Sequence, residues 1–145
     1  MTPKSKERVA LFPGSFNPFT VGHESIVRRA LQIADRVVVA RGVNACKQPE
    51  DAAFAVPHLD DPLVEFTTYS GLTGEFARRI GADFIIRGIR SVKDYEYELQ
   101  LADANRALFG IETVLLPALP ELAWVSSSAL RDLQCHGMDI SRFLP

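Results

Sequence analysis

Residues 9–23 read VALFPGSFNPFTVGH and join a short apolar run to the beginning of an amphipathic one. The apolar run, Val9 to Phe12, is typical of a buried strand, and the run from Glu24 to Ala34 has helical spacing. Glycine and proline residues between the two runs indicate a tight connection. Gly22 and His23 therefore fall at the start of a helix, where unpaired N–H groups and the helix dipole favour an anion.

This connection is neither of the two common nucleotide-binding loops. It contains no GxGxxG dinucleotide motif and no GxxxxGK[ST] P-loop. The small hydroxyl residue Ser15 and a glycine–histidine pair at a helix N-terminus nevertheless suit a phosphate group. The stretch therefore predicts a phosphate-binding strand–loop–helix unit of another kind.

The chain as a whole has the composition of an ordinary globular protein. Its 145 residues suit a single domain (1–145), with 47% hydrophobic and 23% charged residues. A net charge of −2 argues against a nucleic-acid-binding protein. The polar N-terminus and the lack of an apolar run of ~20 residues predict a cytoplasmic protein with no membrane span. Cys46 and Cys135 lack metal-binding spacing, so we expect free, reduced thiols, whose role the sequence leaves open.

Apolar strand patterns alternate with helical patterns along the chain. The predicted strands are Val9–Phe12, Arg36–Val43, Val64–Thr68, Phe84–Arg87 and Thr113–Leu116. The predicted helices are Gly22–Ala34, Leu72–Ile80, Asp94–Leu108 and Ser127–Cys135. This alternation implies right-handed crossovers between parallel strands, and therefore an α/β fold with a doubly wound parallel sheet. Because such sheets bind ligands at the carboxyl ends of their strands, residues that follow the strands are the candidates for a site.

Three motifs follow predicted strands in the order and spacing of a known enzyme family. They are Thr20–His23, Ile86–Arg90 with Asp94–Glu98, and Val125–Arg131 with its three consecutive serines. The first resembles the (H/T)xGH signature of the nucleotidyltransferase superfamily, and the last resembles its ISSSxxR signature. Together the motifs resemble the phosphopantetheine adenylyltransferase family. The resemblance implies a Rossmann-like fold and transfer of the adenylyl group of ATP to 4′-phosphopantetheine, giving dephospho-coenzyme A and pyrophosphate.

A reaction of this kind needs positioned positive charge more than a covalent relay. A phosphomonoester has a second pKa near ~6, so it is largely dianionic and already nucleophilic at neutral pH. Two unit charges ~4 Å apart at an effective dielectric constant of ~20 repel each other by about 4 kcal/mol. We therefore expect direct in-line attack without a covalent enzyme intermediate, assisted by cations and N–H donors. The sequence contains no nucleophile elbow that would suggest otherwise.

The resemblance assigns catalysis to His23, Lys47 and Arg90. His23 would donate a hydrogen bond to the transferred phosphate as a neutral ring, because the helix dipole disfavours the imidazolium; the alternative is a histidine that only caps the helix. Lys47 corresponds to a lysine that meets the pantetheine phosphate, and by itself would be a solvated surface lysine. Arg90 would bind ATP phosphate, and pairing with a carboxylate of Asp94–Glu98 is the alternative or additional role.

The resemblance also assigns the contacts to ATP. They are Ser15, Phe16, His23, Gly88, Ile89, Arg90, Glu98, Leu122, Ala123, Trp124, Val125, Ser126, Ser127 and Ser128. The serines would hold the β- and γ-phosphates, and the segment before them would hold the adenine. Serine is a favoured N-cap, so capping alone would explain one of the three. Trp124 suits core packing equally well, and Glu98 in isolation suits a solvated helix carboxylate.

The contacts to phosphopantetheine form a smaller set in the resembling family. They correspond to Ser15, Lys47, Leu72, Thr73 and Arg87. The planar guanidinium of Arg87 suits bidentate phosphate binding, although nearby carboxylates offer it an ion pair instead. Ser15 could equally be a turn serine that bonds its own backbone. Leu72 and Thr73 would, by pattern alone, simply begin a helix.

No protein side chains are expected to hold a metal, so Mg²⁺ would arrive with ATP on phosphate oxygens and water. The resemblance further implies a homo-oligomer, namely a hexamer, and feedback binding of coenzyme A. Residues 48–63 depart from the family, because Pro49, Pro57 and Pro62 disfavour the longer helix usual there. The sequence leaves open the conformation and role of this loop. It also leaves open the effect of ending at Pro145, where relatives usually continue into a helix.

Two other functions fit parts of the sequence. One is a different nucleotidyltransferase, with glycerol phosphate or nicotinamide mononucleotide as the acceptor. The other is a non-catalytic nucleotide-binding relative, which only the altered 48–63 segment suggests. The segment Arg87–Arg90 followed by Asp94–Glu98 favours the pantetheine acceptor, and the presence of every charged motif residue favours an enzyme.

Overall fold

The computed structural model describes residues 6–43 and 59–145, and these form one parallel sheet with helices on both faces. The strands are β1 (Val9–Gly14), β2 (Arg36–Gly42), β3 (Val64–Tyr69), β4 (Phe84–Ile89) and β5 (Glu112–Pro117). The helices are α1 (Val21–Ala30), α2 (Thr73–Arg79), α3 (Val92–Phe109) and α4 (Ser127–Cys135), with short 3₁₀ turns at Pro120–Leu122 and Ser141–Phe143. The predicted doubly wound parallel sheet is confirmed.

The sheet is buried because successive strand residues point into two separate helical layers. Ala10 and Phe12 of β1 belong to the core cluster that packs on α1. Val9 and Leu11 point to the opposite face and pack with Phe76 of α2. Strands covered on both faces need apolar residues at every position, which is why β1 and β2 are continuous apolar runs in the sequence.

The winding of the sheet reverses beside β1, and this reversal positions the motifs. The strand order is β3-β2-β1-β4-β5, so the chain moves outward from β1 to β3 and then returns to the other side of β1. The connections that leave β1 and β4 therefore diverge and open a crevice at the carboxyl ends of these strands. The loop before α1 leaves β1, and Arg87 and Arg90 lie at the end of β4, so two motifs share this crevice.

Helix α1 is shorter than its periodicity predicts. The amphipathic pattern extends to Ala34, but the helix ends at Ala30. The N–H groups of Gln32 and Ile33 donate to carbonyls three residues earlier, at 3.1 and 3.0 Å, so the chain finishes in a tighter 3₁₀-type turn. The end of α3 is as predicted, because Gly110 adopts the left-handed cap conformation with φ of 65°.

Several predictions concern residues outside the described part of the chain. Cys46, Lys47 and most of the 48–63 loop lie there. Of that loop the structure describes residues 59–63, with Leu59 buried in the core cluster on the α1 face. The Cys135 thiol is exposed and free. No helix in the described ranges has the length and apolar character needed to cross a bilayer.

Gly74 lets α2 pack closely against α3. A Cβ at this position would lie 2.8 Å from Oδ1 of Asn105 and would overlap the ring of Phe109. We expect Gly74→Ala to lower the free energy of unfolding by about 1–3 kcal/mol through overpacking, offset by at most about 1 kcal/mol of helix propensity. Chemical denaturation measures this, with the exposed Glu75→Ala on the same helix as the control. An unchanged denaturation midpoint for Gly74→Ala would contradict the close packing.

Candidate active site

Two cavities open side by side at the carboxyl edge of the sheet. The smaller cavity, of about 330 Å³, lies between the loop after β1, the end of β4 and the start of α4. The larger cavity, of about 720 Å³, lies between the ends of β1, β2 and β3 and helices α2 and α3. Their shared wall, which we call the junction, consists of Pro13, Gly14, Ser15, Arg87 and Glu98. A ligand in one cavity can therefore meet a ligand in the other.

Many of the predicted site residues line one or both of these cavities. The predicted ATP contacts that line the smaller cavity are Ser15, Phe16, His23, Gly88, Arg90, Glu98, Leu122, Val125, Ser126, Ser127 and Ser128. The predicted acceptor contacts that line the larger cavity are Ser15, Leu72, Thr73 and Arg87. The fold thus gathers side chains from distant parts of the chain, while Lys47 lies outside the described residues.

Three of the predicted ATP contacts line neither of these cavities: Ile89, Ala123 and Trp124. The carbonyl of Ile89 accepts the N–H of Ala118 at 2.8 Å, which extends the pairing of β4 with β5. The ring of Trp124 packs edge to face on Phe143 at a centroid distance of 4.9 Å and remains 51% exposed. The tryptophan therefore packs on the C-terminal segment, not in the core.

Thr20 fixes the orientation of His23 at the start of α1. The Thr20 Oγ1 atom accepts the N–H groups of Gly22 at 3.1 Å and of His23 at 3.3 Å. The backbone N–H of Thr20 donates to Nδ1 of His23 at 2.9 Å, which completes a capping box with histidine in the usual Glu/Gln position. Because Nδ1 accepts this bond, a neutral His23 carries its proton on Nε2. His23 caps the helix through one nitrogen and presents a donor through the other.

Burial and nearby positive charge keep His23 neutral. Three aromatic rings surround its imidazole at centroid distances of 6.1, 5.0 and 5.3 Å, those of Phe12, Phe16 and Phe19. Burial, followed by the charges of Arg90 and Arg87, lowers the pKa of His23 from 6.5 to about 3. At neutral pH the ring is therefore an uncharged hydrogen-bond donor.

We expect the His23 imidazole not to titrate between about pH 5 and 8, where ordinary histidines do. Unfolding exposes it with an ordinary pKa of 6.5, so the unfolded chain binds the extra proton between about pH 6.5 and 3. The free energy of unfolding should therefore fall as pH decreases through this range, by up to about 1.4 kcal/mol per pH unit. NMR of the imidazole and denaturation at several pH values measure the two effects. If the free energy of unfolding depended on pH equally in wild type and in His23→Gln, the His23 imidazole would not be the cause of the effect.

Arg87 and Glu98 form a bidentate ion pair at the junction. Nε and Nη2 of Arg87 donate to Oε2 and Oε1 of Glu98 at 2.9 and 2.7 Å, and Nη1 donates to the carbonyl of Pro13 at 2.5 Å. Glu98 is only 5% exposed, so its buried charge depends on this guanidinium. A guanidinium has five N–H donors. The three bonds leave donors of Arg87 for a phosphate at the junction.

Arg90 pairs with Asp94 more loosely than Arg87 pairs with Glu98. Its Nε lies 3.5 Å from Oδ2 of Asp94, and its side chain is 41% exposed. The same carboxylate oxygen accepts the backbone N–H of Arg90 at 3.0 Å. An exposed ion pair contributes only about 0–1 kcal/mol. The ion-pair interpretation of both arginines is thus confirmed, and Arg90 can leave its carboxylate for a phosphate at little cost.

The three serines before α4 have different partners. Ser126 caps the helix, because its Oγ accepts the N–H of Ala129 at 3.0 Å. Ser127 Oγ donates to the carbonyl of Pro18 at 2.7 Å, and Ser128 Oγ lies 3.3 Å from Ser126 Oγ. Capping therefore explains one serine, as predicted. The first N–H groups of α4 have no partner within the helix, so its start favours an anion in the smaller cavity.

Four polar residues of the larger cavity were missed by the sequence analysis: Tyr69, Ser70, Asn105 and Thr113. Tyr69 ends β3, and its hydroxyl lies 2.8 Å from Oγ1 of Thr73. Its position at the carboxyl end of a strand was a signal that could have identified it. Asn105 and Thr113 lie within a helix and a strand, where no sequence signal distinguishes them from structural residues.

Comparison with known proteins agrees with this fold. The cytidylyltransferase-like family model matches residues 11–133. A solved structure of a provisionally assigned nicotinate-nucleotide adenylyltransferase from Vibrio parahaemolyticus superposes with a TM-score of 0.66 at 19% identity, over 97% of this chain and 88% of that chain. At this identity the likeness shows the fold alone. The fold, the helix start that carries His23 and the family model define a nucleotidyltransferase of the cytidylyltransferase-like class.

Relatives of higher identity give the particular family. A phosphopantetheine adenylyltransferase from Bacteroides thetaiotaomicron is 44% identical over 144 residues, which cover 95% of each chain. Enzymes of the same name from Bacteroides fragilis and Phocaeicola vulgatus are 46% and 48% identical and likewise cover 95% of this chain, with 96% and 95% of their own length covered. The chain belongs to the phosphopantetheine adenylyltransferase family, which confirms the resemblance.

Proposed function

We propose that this chain transfers the adenylyl group of ATP to 4′-phosphopantetheine, giving dephospho-coenzyme A and pyrophosphate. One observation carries the proposal beyond family membership: two cavities of different character meet at Ser15 and Arg87. A transfer between two substrates needs two adjacent binding sites, so that the reacting groups of the substrates meet at the wall that the sites share. The junction supplies that wall, with a hydroxyl and a guanidinium on it.

ATP is assigned to the smaller cavity. The start of α4 offers N–H groups and the Ser128 hydroxyl to the β- and γ-phosphates, and Arg90 lines the same cavity. Leu122 and Val125 line the same cavity and offer apolar contacts to adenine. Gly88 lines the same cavity and lets β4 pack closely on α1, because a Cβ there would lie 3.3 Å from Ile26.

The pantetheine arm is assigned to the larger cavity. Its walls beyond the junction are mainly apolar, with Leu72, Leu101, Leu108 and Phe109 among them. Such walls suit a long uncharged arm, whose amides could bond to the few polar groups present. The phosphate of the acceptor would then lie at the junction beside Arg87, and we place Lys47 there by resemblance.

The chemistry follows from these positions. An oxygen of the acceptor phosphate attacks the α-phosphorus of ATP in line, a new P–O bond forms, and the bond to the β-phosphate bridging oxygen breaks as pyrophosphate leaves. His23 donates its Nε2 proton in a hydrogen bond to a non-bridging oxygen, where negative charge increases. Arg87 and Arg90 reduce the repulsion between the two anions. No side chain forms a bond to phosphorus.

Magnesium is proposed to enter with ATP. Within residues 6–43 and 59–145, no group of three or more His, Cys, Asp or Glu side chains could hold a metal ion. The carboxylates that line the smaller cavity, Asp94 and Glu98, are both paired with arginines. The ion would therefore be held by phosphate oxygens and water, and it supplies additional charge neutralisation on the triphosphate.

We also propose a homo-oligomer, with a hexamer as the expected state, and binding of coenzyme A across both cavities as a feedback inhibitor. Helix α3 supports self-association because it exposes large apolar side chains outside both cavities, including Val92 at 76% and Tyr97 at 60%. Light scattering after gel filtration would test the oligomer. Competition between coenzyme A and phosphopantetheine would test the inhibitor.

A pyrophosphate-release assay tests the reaction directly. The purified chain is mixed with ATP or CTP and, in turn, with phosphopantetheine, glycerol phosphate or nicotinamide mononucleotide. We expect release only with ATP and phosphopantetheine. Pyrophosphate release with another combination of nucleotide and acceptor would show that the proposed substrates are wrong. ATP binding without release for every acceptor would indicate a non-catalytic relative.

A further inference from the structure

Three consecutive carbonyls in the loop before His23 accept hydrogen bonds from side chains that are distant in sequence. The carbonyls of Phe16, Asn17 and Pro18 accept, in that order, from Arg41 at 2.9 Å, Arg131 at 2.5 Å and Ser127 at 2.7 Å. These bonds attach the loop to β2 on one side and to α4 on the other. The loop that carries the proposed catalytic donor is therefore held at each of three successive peptide units.

Arg41 differs from the other two donors in its location. Ser127 and Arg131 line the smaller cavity, where they could also contact a phosphate. Arg41 lies near the carboxyl end of β2, in register with Gly14 of β1, and lines neither the smaller nor the larger cavity. Its bond to the loop is therefore a candidate for a role that does not involve substrate contact.

The residue that Arg41 holds has an unusual backbone conformation. Phe16 has φ of 45°, which is uncommon for a bulky residue and costs of the order of 1–2 kcal/mol. Its ring is 2% exposed and meets the His23 ring edge to face at a centroid distance of 5.0 Å. Gly14 leaves just enough room, because a Cβ there would lie 2.9 Å from the Phe16 ring. A backbone turn of this kind persists only when its surroundings hold it.

We propose that Arg41 is a positioning residue for the transfer reaction, because its bond to the Phe16 carbonyl keeps the Phe16 ring against His23 and so fixes the imidazole. The kinetic part of this inference rests on the proposed function. The charged groups that act on the imidazole are Arg90 and Arg87, each paired with a carboxylate, Asp94 or Glu98. Arg41 is not among the charges that shift the His23 pKa. A change in the His23 titration after substitution of Arg41 therefore reports on packing around the ring.

The test compares Arg41→Met, which keeps the aliphatic stem but removes the donors, with Arg41→Lys, which keeps a charge and a donor. Arg36→Met is the matched control, because Arg36 is an exposed arginine at the other end of β2 that pairs with Glu7 and Glu65. We expect Arg41→Met to lower kcat by roughly 10- to 100-fold, the scale expected for a displaced catalytic group, with KM for either substrate within about threefold. We expect its His23 ring to titrate at higher pH than in wild type, and Arg41→Lys to restore part of both effects.

The NMR titration needs no substrate, so it separates this inference from the proposed reaction. An unchanged His23 titration in Arg41→Met, or equal losses of kcat in Arg36→Met, would overturn the inference. A raised KM with unchanged kcat would also overturn it, since Arg41 would then bind substrate. If Arg41→Met does not fold, Arg41→Lys decides. A partial loss of kcat together with a His23 titration shifted to higher pH would support the inference. A loss of kcat with an unchanged titration, or wild-type values of both, would overturn it.

Discussion

His23→Ala should lower kcat by about 100- to 1,000-fold, the usual effect of removing one hydrogen-bond donor to a developing negative charge. The affinity for ATP should change by less than about threefold, because the donor gains most of its strength only as charge accumulates in the transition state. The structure supports this division of effects. His23 is neutral, with a pKa of about 3, and its Nδ1 is bonded to the backbone of Thr20, so the ring offers one fixed donor and no full charge that would bind ATP in the ground state.

The measurement is turnover under saturating substrates, together with calorimetric binding of ATP. His23→Gln is the informative companion, because its amide N–H₂ can reach part of the same position and should recover part of kcat. His136→Ala is the control, because His136 is exposed at the end of α4, away from both cavities. Turnover unchanged in His23→Ala would remove His23 from catalysis. An equal loss of ATP affinity and kcat would make it a ground-state contact instead.

The tautomer of His23 illustrates what the sequence could not provide. The TxGH pattern predicted a histidine at a helix start, since glycine and proline signals fix the turn and apolar spacing fixes the helix. Which ring nitrogen accepts a bond depends on the extended backbone of Thr20, with φ of −113° and ψ of 171°, which directs its N–H at Nδ1. That conformation is a consequence of the folded loop and has no local sequence signal.

The sheet was predictable for a different reason. Continuous apolar runs such as residues 37–40 and 84–86 can be satisfied only by burial on both faces, and their alternation with helical segments leaves parallel crossovers as the simple solution. Helix ends were predicted where glycine marks them, as at Gly110, and missed where the chain ends in a 3₁₀ turn, as after Ala30. Elements that apolar runs or glycine mark locally in the sequence could therefore be predicted, and the 3₁₀ turn, which has no such mark, could not.

The walls of the larger cavity were much harder to predict. Thr113 and Asn105 line the same cavity because α3 packs against β5. Trp124 was expected as a nucleotide contact or a core residue; its half-exposed ring is not in the core and packs on Phe143 near the C-terminus. Both outcomes depend on long-range packing, which residue type and spacing do not encode.

Arg87→Met should have the second large effect, and it should appear in stability as well as in activity. Removing the guanidinium leaves the carboxylate of Glu98 buried without its charge partner, which costs up to about 3–5 kcal/mol for a buried pair. Turnover at low substrate should also fall strongly, because Arg87 lines both cavities and offers its guanidinium to a phosphate at the junction. The two effects have different causes and can be separated.

The double variant Arg87→Met/Glu98→Met separates them. Replacing both members of a buried pair by apolar residues of similar volume is often nearly neutral, so we expect most of the lost unfolding free energy to return. Activity should not return, because the double variant still lacks the Arg87 guanidinium at the junction. Chemical denaturation of the wild type, the two single variants and the double variant gives the coupling energy of the pair. The exposed pair Arg36–Glu65 is the control, with an expected coupling of at most about 1 kcal/mol.

Two outcomes would contradict this account of Arg87. If the double variant were as unstable as Arg87→Met, Glu98 would not depend on the guanidinium. If it regained turnover, Arg87 would serve only to neutralise Glu98 and would not act on the substrates. Arg87→Lys refines the result, because an ammonium supplies charge but cannot make the two parallel bonds to Glu98 and bind a phosphate at the same time. We therefore expect Arg87→Lys to recover more stability than turnover, since a compact ammonium drawn to Glu98 cannot also extend the planar fork of Arg87 toward a phosphate.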